Sequence, residues 1–315
     1  MPQLKFDNRV AVITGAGRGL GRTYALLLAS RGAKVVVNDT GGSMKGEGVN
    51  AGPADEVVSE ISAAGGEAVA CTASVSTPEG GSAIIKAALD HYGRIDILIH
   101  NAGNVRAASL KEMTQEDFDA VLGVHLKGTF NLARHACAYW REQHKNGNQL
   151  NGRLINTSSD SGLLGNAGQS NYGTAKAAVA TFAIIVDREM ARYGVTANAI
   201  APVARTRLTI DATPQTAATM PTPKTGEVDR FAPAHVAPLV AWLGSDDAKG
   251  VHGEVFRVGL GNVWMMKGWH SASKVTQSGP LKYWDPAELG THIKEHLSKG
   301  VTKKEGLAEV LTGKV

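Results

Sequence analysis

At 315 residues, with 43% apolar and 20% charged side chains, the chain has the composition of a globular protein with a sizeable core, which excludes the disordered and fibrous classes. A net charge of +4, spread along the sequence, gives a mild bias toward anionic ligands and no basic tract of the kind that grips nucleic acid. No window approaches the roughly 18 apolar residues of a membrane span, and MPQLKFDNRV at the N-terminus lacks the basic and apolar regions of a signal peptide.

From the N-terminus, RVAVI at 9–13 reads as a first strand, followed by a helical pattern at 19–31 and a second strand, AKVVVN, at 33–38. Helix 52–65, strand EAVAC at 67–71, helix 79–92 and strand IDILIH at 95–100 continue the rhythm. A long helical pattern at 114–144 leads to strand RLINTS at 153–158, helix 170–193, strand VTANAI at 195–200, helix 233–245 and strand EVFRV at 254–258. The strands are apolar almost throughout, as a parallel sheet buried on both faces requires, so the alternation predicts a doubly wound α/β sheet with right-handed crossovers. Three segments break the rhythm: the glycine-rich residues 41–53, a proline- and threonine-rich loop at 208–233, and everything after Gly261. The expected organisation is a dinucleotide-binding and catalytic domain over 1–261 and a C-terminal extension over 262–315, packed on the same domain or on a partner subunit. Within that extension, Asp285 and Pro286 signal the start of a helix at 286–299, and Trp264, Met265, Met266 and Trp269 read either as subunit packing or as the cover of a pocket. Cys71 and Cys137 lie far apart, without a metal-ligand pattern, and read as buried thiols in a reducing compartment. With no metal site expected and a terminal GKV unlike the SKL type of peroxisomal address, the expected location is the cytoplasm.

The first strand runs directly into TGAGRGLG, residues 14–21, and then into a helix. Glycines let a phosphate come close to the backbone, and the helix start offers unpaired N–H groups and the positive end of a dipole. Gly15, Gly19 and Gly21 are best placed, with Arg18 and Leu20 between them. Leu20 occupies the last glycine position of G-x-G-x-x-G, so the run fits T-G-x-x-x-G-x-G instead. Asp39 ends the second strand, where a carboxylate accepts hydrogen bonds from the ribose hydroxyls of an adenosine and repels a 2'-phosphate. Arg18 pulls the other way; together they favour NAD over NADP. Taken alone, the turn could be a tight bend and the aspartate a solvated strand end.

Tyr172 and Lys176 stand four residues apart in SNYGTAKAAVATF, one turn apart on a helix face. An ammonium beside a phenol, joined by the charge of an oxidised nicotinamide, favours phenolate and makes a general base. Ser159, thirteen residues before Tyr172, ends the fifth strand, where its hydroxyl can hold the reacting oxygen of a substrate. A Y-x-x-x-K spacing alone is a common surface pair; beside a nucleotide turn it becomes specific.

TGAGRGLG, the Asn101-Ala102-Gly103 triplet, Ser159, Tyr172 and Lys176 together resemble the short-chain dehydrogenase/reductase family over about residues 7–260. The resemblance implies a Rossmann-type seven-stranded sheet, NAD(P) at the carboxyl ends of the strands, and interconversion of a secondary alcohol and a ketone. VVVNDTGG, HNAG, VHLKGTF, GNAGQSNYGTAKAA and HVAPLVAWL are similar to the (3R)-hydroxyacyl-CoA dehydrogenase regions of the multifunctional enzymes in that family, whose members in some cases oxidise steroid alcohols.

Departures from the family pattern matter for mechanism. His125 replaces the asparagine that supports a water beyond the lysine; the helix backbone, aided by the imidazole, takes that role here, or His125 packs the core. His100 is given no chemistry. Ser74 replaces an aspartate against the adenine, so Ser74 and Val75 are expected to make that contact, and Pro202, Ala204 and Thr206 to line the nicotinamide amide. The leading expectation is an NAD-dependent 3-hydroxyacyl-CoA dehydrogenase, fatty acyl or steroid side-chain. The alternatives are a 17β-hydroxysteroid or other bulky secondary alcohol dehydrogenase and, from another class, a nucleotide-binding scaffold without turnover. The resemblance also implies a homodimer or homotetramer built partly on helices 114–144 and 170–193.

Overall fold

A computed structural model describes residues 3–210, 218–269, 271, 273–276 and 283–297. Strands β1 (Val10–Thr14), β2 (Lys34–Asn38), β3 (Glu67–Cys71), β4 (Ile97–His100), β5 (Gly152–Thr157), β6 (Val195–Val203), β7 (Val255–Gly259) and β8 (Asn262–Met265) form one sheet in the order β3-β2-β1-β4-β5-β6-β7-β8. The first seven strands run parallel, and β8 returns antiparallel along β7. This is the doubly wound order whose direction of winding reverses between β1 and β4, and the crevice at that switch point is where α/β sheets bind ligands.

Helices α1 (Gly19–Ala29), α2 (Gly52–Ala63), α3 (Pro78–Tyr92), α4 (Gln115–Leu122), α5 (Gly128–Lys145), α6 (Asp160–Leu163), α7 (Ser170–Met190), α8 (Arg207–Ile210) and α9 (Ala237–Gly244) complete the unit. Alternate residues of one strand feed two cores, because side chains on a strand point to opposite faces. Ala11 and Ile13 meet Tyr24 and Leu28 of α1 and Val240 and Leu243 of α9. Val10 and Val12 meet Ile84 and Ala88 of α3 and Leu132 and Trp140 of α5. The continuous apolar runs of the sequence are thereby explained: both faces of β1 and β4 are fully buried.

Three features depart from the sequence reading. The helix expected at 114–144 is interrupted by a π turn, Gly123–Lys127, between α4 and α5. Strand β6 continues past residue 200 to Val203, because Ala201, Pro202 and Val203 pair with Arg257, Val258 and Gly259 of β7. The expected boundary at Gly261 falls between two paired strands, since Gly259 pairs with Asn262 and Val258 with Val263.

By contact the chain divides into two compact units, Met1–Met266 and Lys267–Val315. The second holds helix α10 (Pro286–His292), which continues as a π turn, Ile293–Leu297. Asp285 caps it as its sequence signalled, accepting from the amides of Ala287 and Glu288 at 2.9 and 3.1 Å. Positions 298 and 299 of the expected helix lie outside the described residues.

Candidate active site

The turn between β1 and α1 is built on close backbone approach. A Cβ on Gly21 would lie 2.2 Å from the Gly15 carbonyl oxygen, and one on Gly15, at φ +64°, would lie 2.8 Å from Ala102 Cα. The first turn of α1 has neither a side-chain cap nor an acidic residue, which leaves its amides and the positive end of its dipole available to an anion. Asn101 fastens the turn from β4: its Nδ2 donates to the carbonyls of Thr14 and Gly15 at 3.1 and 3.2 Å. The Thr14 hydroxyl accepts the amides of Asn101 and Ala102, both at 3.1 Å.

Asp39 sits beside this turn, accepting the Gly17 amide at 2.9 Å and the Gly41 amide at 2.7 Å. Two N–H donors hold the carboxylate in place and leave further lone pairs for a ribose diol. Arg18 and Arg207, at the start of α8, both reach the Gly42 carbonyl, at 3.5 and 3.4 Å. Thr206 comes within 3.5 Å of the position a Cβ on Gly19 would take, which brings the loop after β6 to the glycine turn. That loop is anchored by Arg205, which pairs with Asp229 and donates to the Pro221 carbonyl at 2.6 Å. Pro202 lies within β6 and Ala204 is buried just beyond it. Leu20 packs against the core that includes Tyr24 and Leu28. Turn, carboxylate and cations fit a dinucleotide: a cradle for the pyrophosphate and an acceptor for the adenosine ribose.

At the adenine side, Ser74 and Val75 are engaged with the protein. The Ser74 hydroxyl meets that of Ser76 at 2.8 Å, and the Val75 carbonyl accepts from Asn131 at 2.9 Å. The Val75 side chain is buried in the core.

Ser159, Tyr172 and Lys176 are brought together by helix packing. Ser159 ends the extended stretch after β5 and caps the short α6, accepting the Ser161 amide at 3.2 Å. Gly162 lets α6 lie directly on α7: a Cβ there would stand 2.5 Å from the Ala177 nitrogen. The Lys176 amine, buried under the Tyr172 ring at 5.6 Å from its centre, donates to the Thr157 carbonyl at 2.6 Å. Burial pushes this amine down to about 7. Burial also raises the Tyr172 phenol; the Ser159 hydroxyl pulls it back and the nearby Asp160 carboxylate pushes it up. Burial is thus the largest influence on the phenol in the protein alone, whereas the lowering expected from the sequence combines Lys176 with the charge of an oxidised nicotinamide.

His125 stands on the π turn with its ring edge-on to Tyr172, centres 5.1 Å apart. Its Nε2 lies 2.8 Å from the Asn104 carbonyl, and Nδ1 has no partner among the described residues. Burial, with the Lys176 charge behind it, holds the imidazole well below its usual pKa, so it is neutral at pH 7. A Cβ on Gly103 would lie 2.5 Å from His125 Cε1, which accounts for the glycine of the Asn-Ala-Gly triplet. The His125 carbonyl meets the Thr129 hydroxyl at 2.7 Å and His100 Nε2 at 3.3 Å. His100 in turn bonds Thr14 at 3.0 Å, and burial pushes it down to about 3, so it ties β1 and β4 to the π turn as a neutral ring.

Several participants were missed in the sequence. Asn171, fully buried before Tyr172, donates to the carbonyls of Arg106 and Asp117 at 2.9 and 3.1 Å and accepts the Tyr172 amide at 2.7 Å. Arg106 joins three elements, pairing with Glu47 at 3.3 Å, Glu116 at 3.5 Å and Asp117 at 3.1 Å. Asp160 and Arg257 form an ion pair that both bury. An arginine inside the otherwise apolar VFRVG was the one available signal for that pair.

A doubly wound sheet with this turn, serine, tyrosine and lysine defines an oxidoreductase class, and the short chain dehydrogenase family profile matches residues 9–216. The chain belongs to that family, whose cofactors are NAD(P). It is 39% identical over 294 residues to hydroxyacyl-CoA dehydrogenase ChsB1 of Mycobacterium tuberculosis, covering 93% of this chain and 89% of that protein. The peroxisomal hydratase-dehydrogenase-epimerase of Neurospora crassa is 42% identical over 291 residues, 90% of this chain, which spans only 30% of that relative. A crystal structure of a short chain dehydrogenase from Mycobacterium avium superposes with TM-score 0.82 at 43% identity, covering 95% of this chain and 97% of that one. Among the described residues, no helix is long and apolar enough to cross a membrane.

Proposed function

We propose that the chain is an NAD-dependent dehydrogenase of 3-hydroxyacyl-CoA thioesters, of fatty acyl or steroid side-chain type. The observation that carries this reading is the packing of Ser159 and Lys176 around Tyr172, at the sheet end that also holds the glycine turn. Oxidation removes a hydride from the carbinol carbon and a proton from its oxygen. When bound, the nicotinamide supplies the hydride acceptor. Ser159 holds the reacting oxygen, the Tyr172 phenolate takes the proton, and Lys176 in its charged form favours that phenolate. The His125 ring packs edge-on against Tyr172 and, held neutral by burial, adds no second cation there. Asp39 supports NAD over NADP, because a 2'-phosphate would meet its carboxylate.

For the substrate, support comes from relatives named as hydroxyacyl-CoA dehydrogenase and as peroxisomal multifunctional enzymes, and from a mildly basic chain of net charge +4 that suits the phosphates of CoA. The test is purified protein with NAD and a panel of (3R)-3-hydroxyacyl-CoA esters, followed by NADH absorbance. Turnover of esters is expected; silence across all chain lengths rejects the substrate, and turnover of steroid alcohols alone selects that class instead. A scaffold without chemistry would bind NAD yet show no rate for Tyr172→Phe to remove. We propose further that the protein self-associates through α5 and α7, where Phe130 and Ile185 stand about half exposed. Sedimentation at micromolar concentration should find a dimer or tetramer, and charged replacements at both positions should dissociate it.

A further inference from the structure

The carboxylate of Asp160 is the first charge beyond Ser159, at the start of α6, and it is only 5% exposed. Burial raises its own pKa while Arg257 draws it back. Arg257 approaches from β7, with Nε 3.0 Å from each carboxylate oxygen, and is itself 6% exposed. Its guanidinium lies 4.3 Å from the centre of the Trp264 ring on β8, its neighbour in the antiparallel register. Desolvating two charges costs about as much as their attraction returns, so a pair buried this way is poorly explained by stability alone. Its position offers another explanation. One residue before it stands Ser159, the cap of α6, and α6 lies directly on α7, which carries Tyr172, so the carboxylate and the phenol are held by the same packed pair of helices; a negative charge placed there opposes ionisation of the phenol.

We propose that Arg257, stacked under Trp264, is a positioning residue that cancels the field of Asp160 at Tyr172 and fixes α6 so that Ser159 faces the phenol. The inference rests on the reading of Tyr172 as the proton-transfer group. Around that phenol, α7 contributes Lys176, the π turn contributes His125, and the β5–α6 junction contributes Ser159 and Asp160. Lys176 loses its charge as pH rises through about 7, which leaves Asp160 as the charge beside Ser159, and Arg257 decides how much of it is felt. The sequence left Trp264 between pocket cover and packing; here it shields the arginine that sets the charge behind the catalytic serine.

The two single neutralisations should act in opposite directions, which loss of structure would not produce. The phenolate absorbance band is titrated in NAD-saturated protein, and Tyr172 is isolated by subtracting the Tyr172→Phe protein from the same background. Arg257→Gln should move the Tyr172 midpoint up by about one pH unit, and Asp160→Asn should move it down by a similar amount. The double variant, with no lone buried charge, should return within a few tenths, and Arg257→Lys should shift less than Arg257→Gln. The acid limb of kcat/KM should follow the same order. If Arg257→Gln does not fold, the fall in Asp160→Asn and its reversal in the double variant carry the test. Unchanged midpoints accompanied by lowered melting temperatures would overturn the inference and leave the pair purely structural. Because the absorbance midpoint needs no turnover, a protein in which Tyr172→Phe retains full activity would refute Tyr172 as the base while still measuring the effect of the pair.

Discussion

Lys176 carries its amine into the protein with one strong acceptor, the Thr157 carbonyl, and an aromatic face as its surroundings. A lysine whose folded pKa lies near 7 and whose unfolded value is near 10.4 binds a proton more tightly in the unfolded chain. Stability conferred at this position therefore rises with pH between about 7 and 10 and is smallest below 7. The difference in melting temperature between wild type and Lys176→Met should accordingly shift in favour of wild type across that window. A flat difference would contradict the burial of the amine. Removing the amine should also lower kcat by about 100-fold or more, as loss of a group supporting general-base chemistry does. Asp39 makes a second prediction at this scale. Asp39→Asn keeps the shape and one acceptor oxygen for Gly17 or Gly41, while the negative charge goes. KM for NAD should rise about tenfold, equivalent to about 1.4 kcal/mol, with NADP gaining relative to it in a paired kinetic comparison.

Helix α7 delivers both Tyr172 and Lys176, and what fixes its start is Asn171. Its fully buried amide donates two hydrogen bonds that join the helix to the loop at Arg106 and to α4 at Asp117, and accepts a third from the Tyr172 amide within the helix. Asn171→Ala would remove the donor from two part-buried carbonyls and the acceptor from the Tyr172 amide, at a cost of about 1–3 kcal/mol. A lowered melting temperature and a kcat that falls more than KM rises should accompany it, since the tyrosine loses its register before the cofactor site does. The elements themselves were legible: continuous apolar runs marked the strands of a sheet buried on both faces, and the apolar stripes of α1, α3 and α7 marked helices. The π turn at Gly123–Lys127 was not, because its residues keep helical periodicity and only the contacts of His125 reveal the change of hydrogen bonding. Asn171 was likewise silent in the sequence, since an asparagine in a helix start reads as solvent-facing until the carbonyls it meets are known.

Across the whole molecule, motif residues close in space were readable because the family spacing encodes them, while partners from distant strands were not. Asp160 and Arg257 are separated by 97 positions, and no local pattern links them. Residues 262–265 look like the start of an appendage, but their backbone pairs with β7 and their tryptophan covers Arg257. A chain cut after Met266 keeps every strand of the sheet, the glycine turn, Asp39, Ser159, Tyr172 and Lys176. It should fold cooperatively and bind NAD with the affinity of the full chain, measured by calorimetry. A chain cut after Gly261 loses β8, leaves the edge of β7 unpaired and uncovers the Arg257 guanidinium. It should melt at a lower temperature and aggregate more readily, and its Tyr172 midpoint should move in the direction set by a loosened Arg257. Equal behaviour of the two truncations would show that β8 adds nothing to the unit, and loss of NAD binding in both would assign the residues beyond Met266 to the nucleotide site.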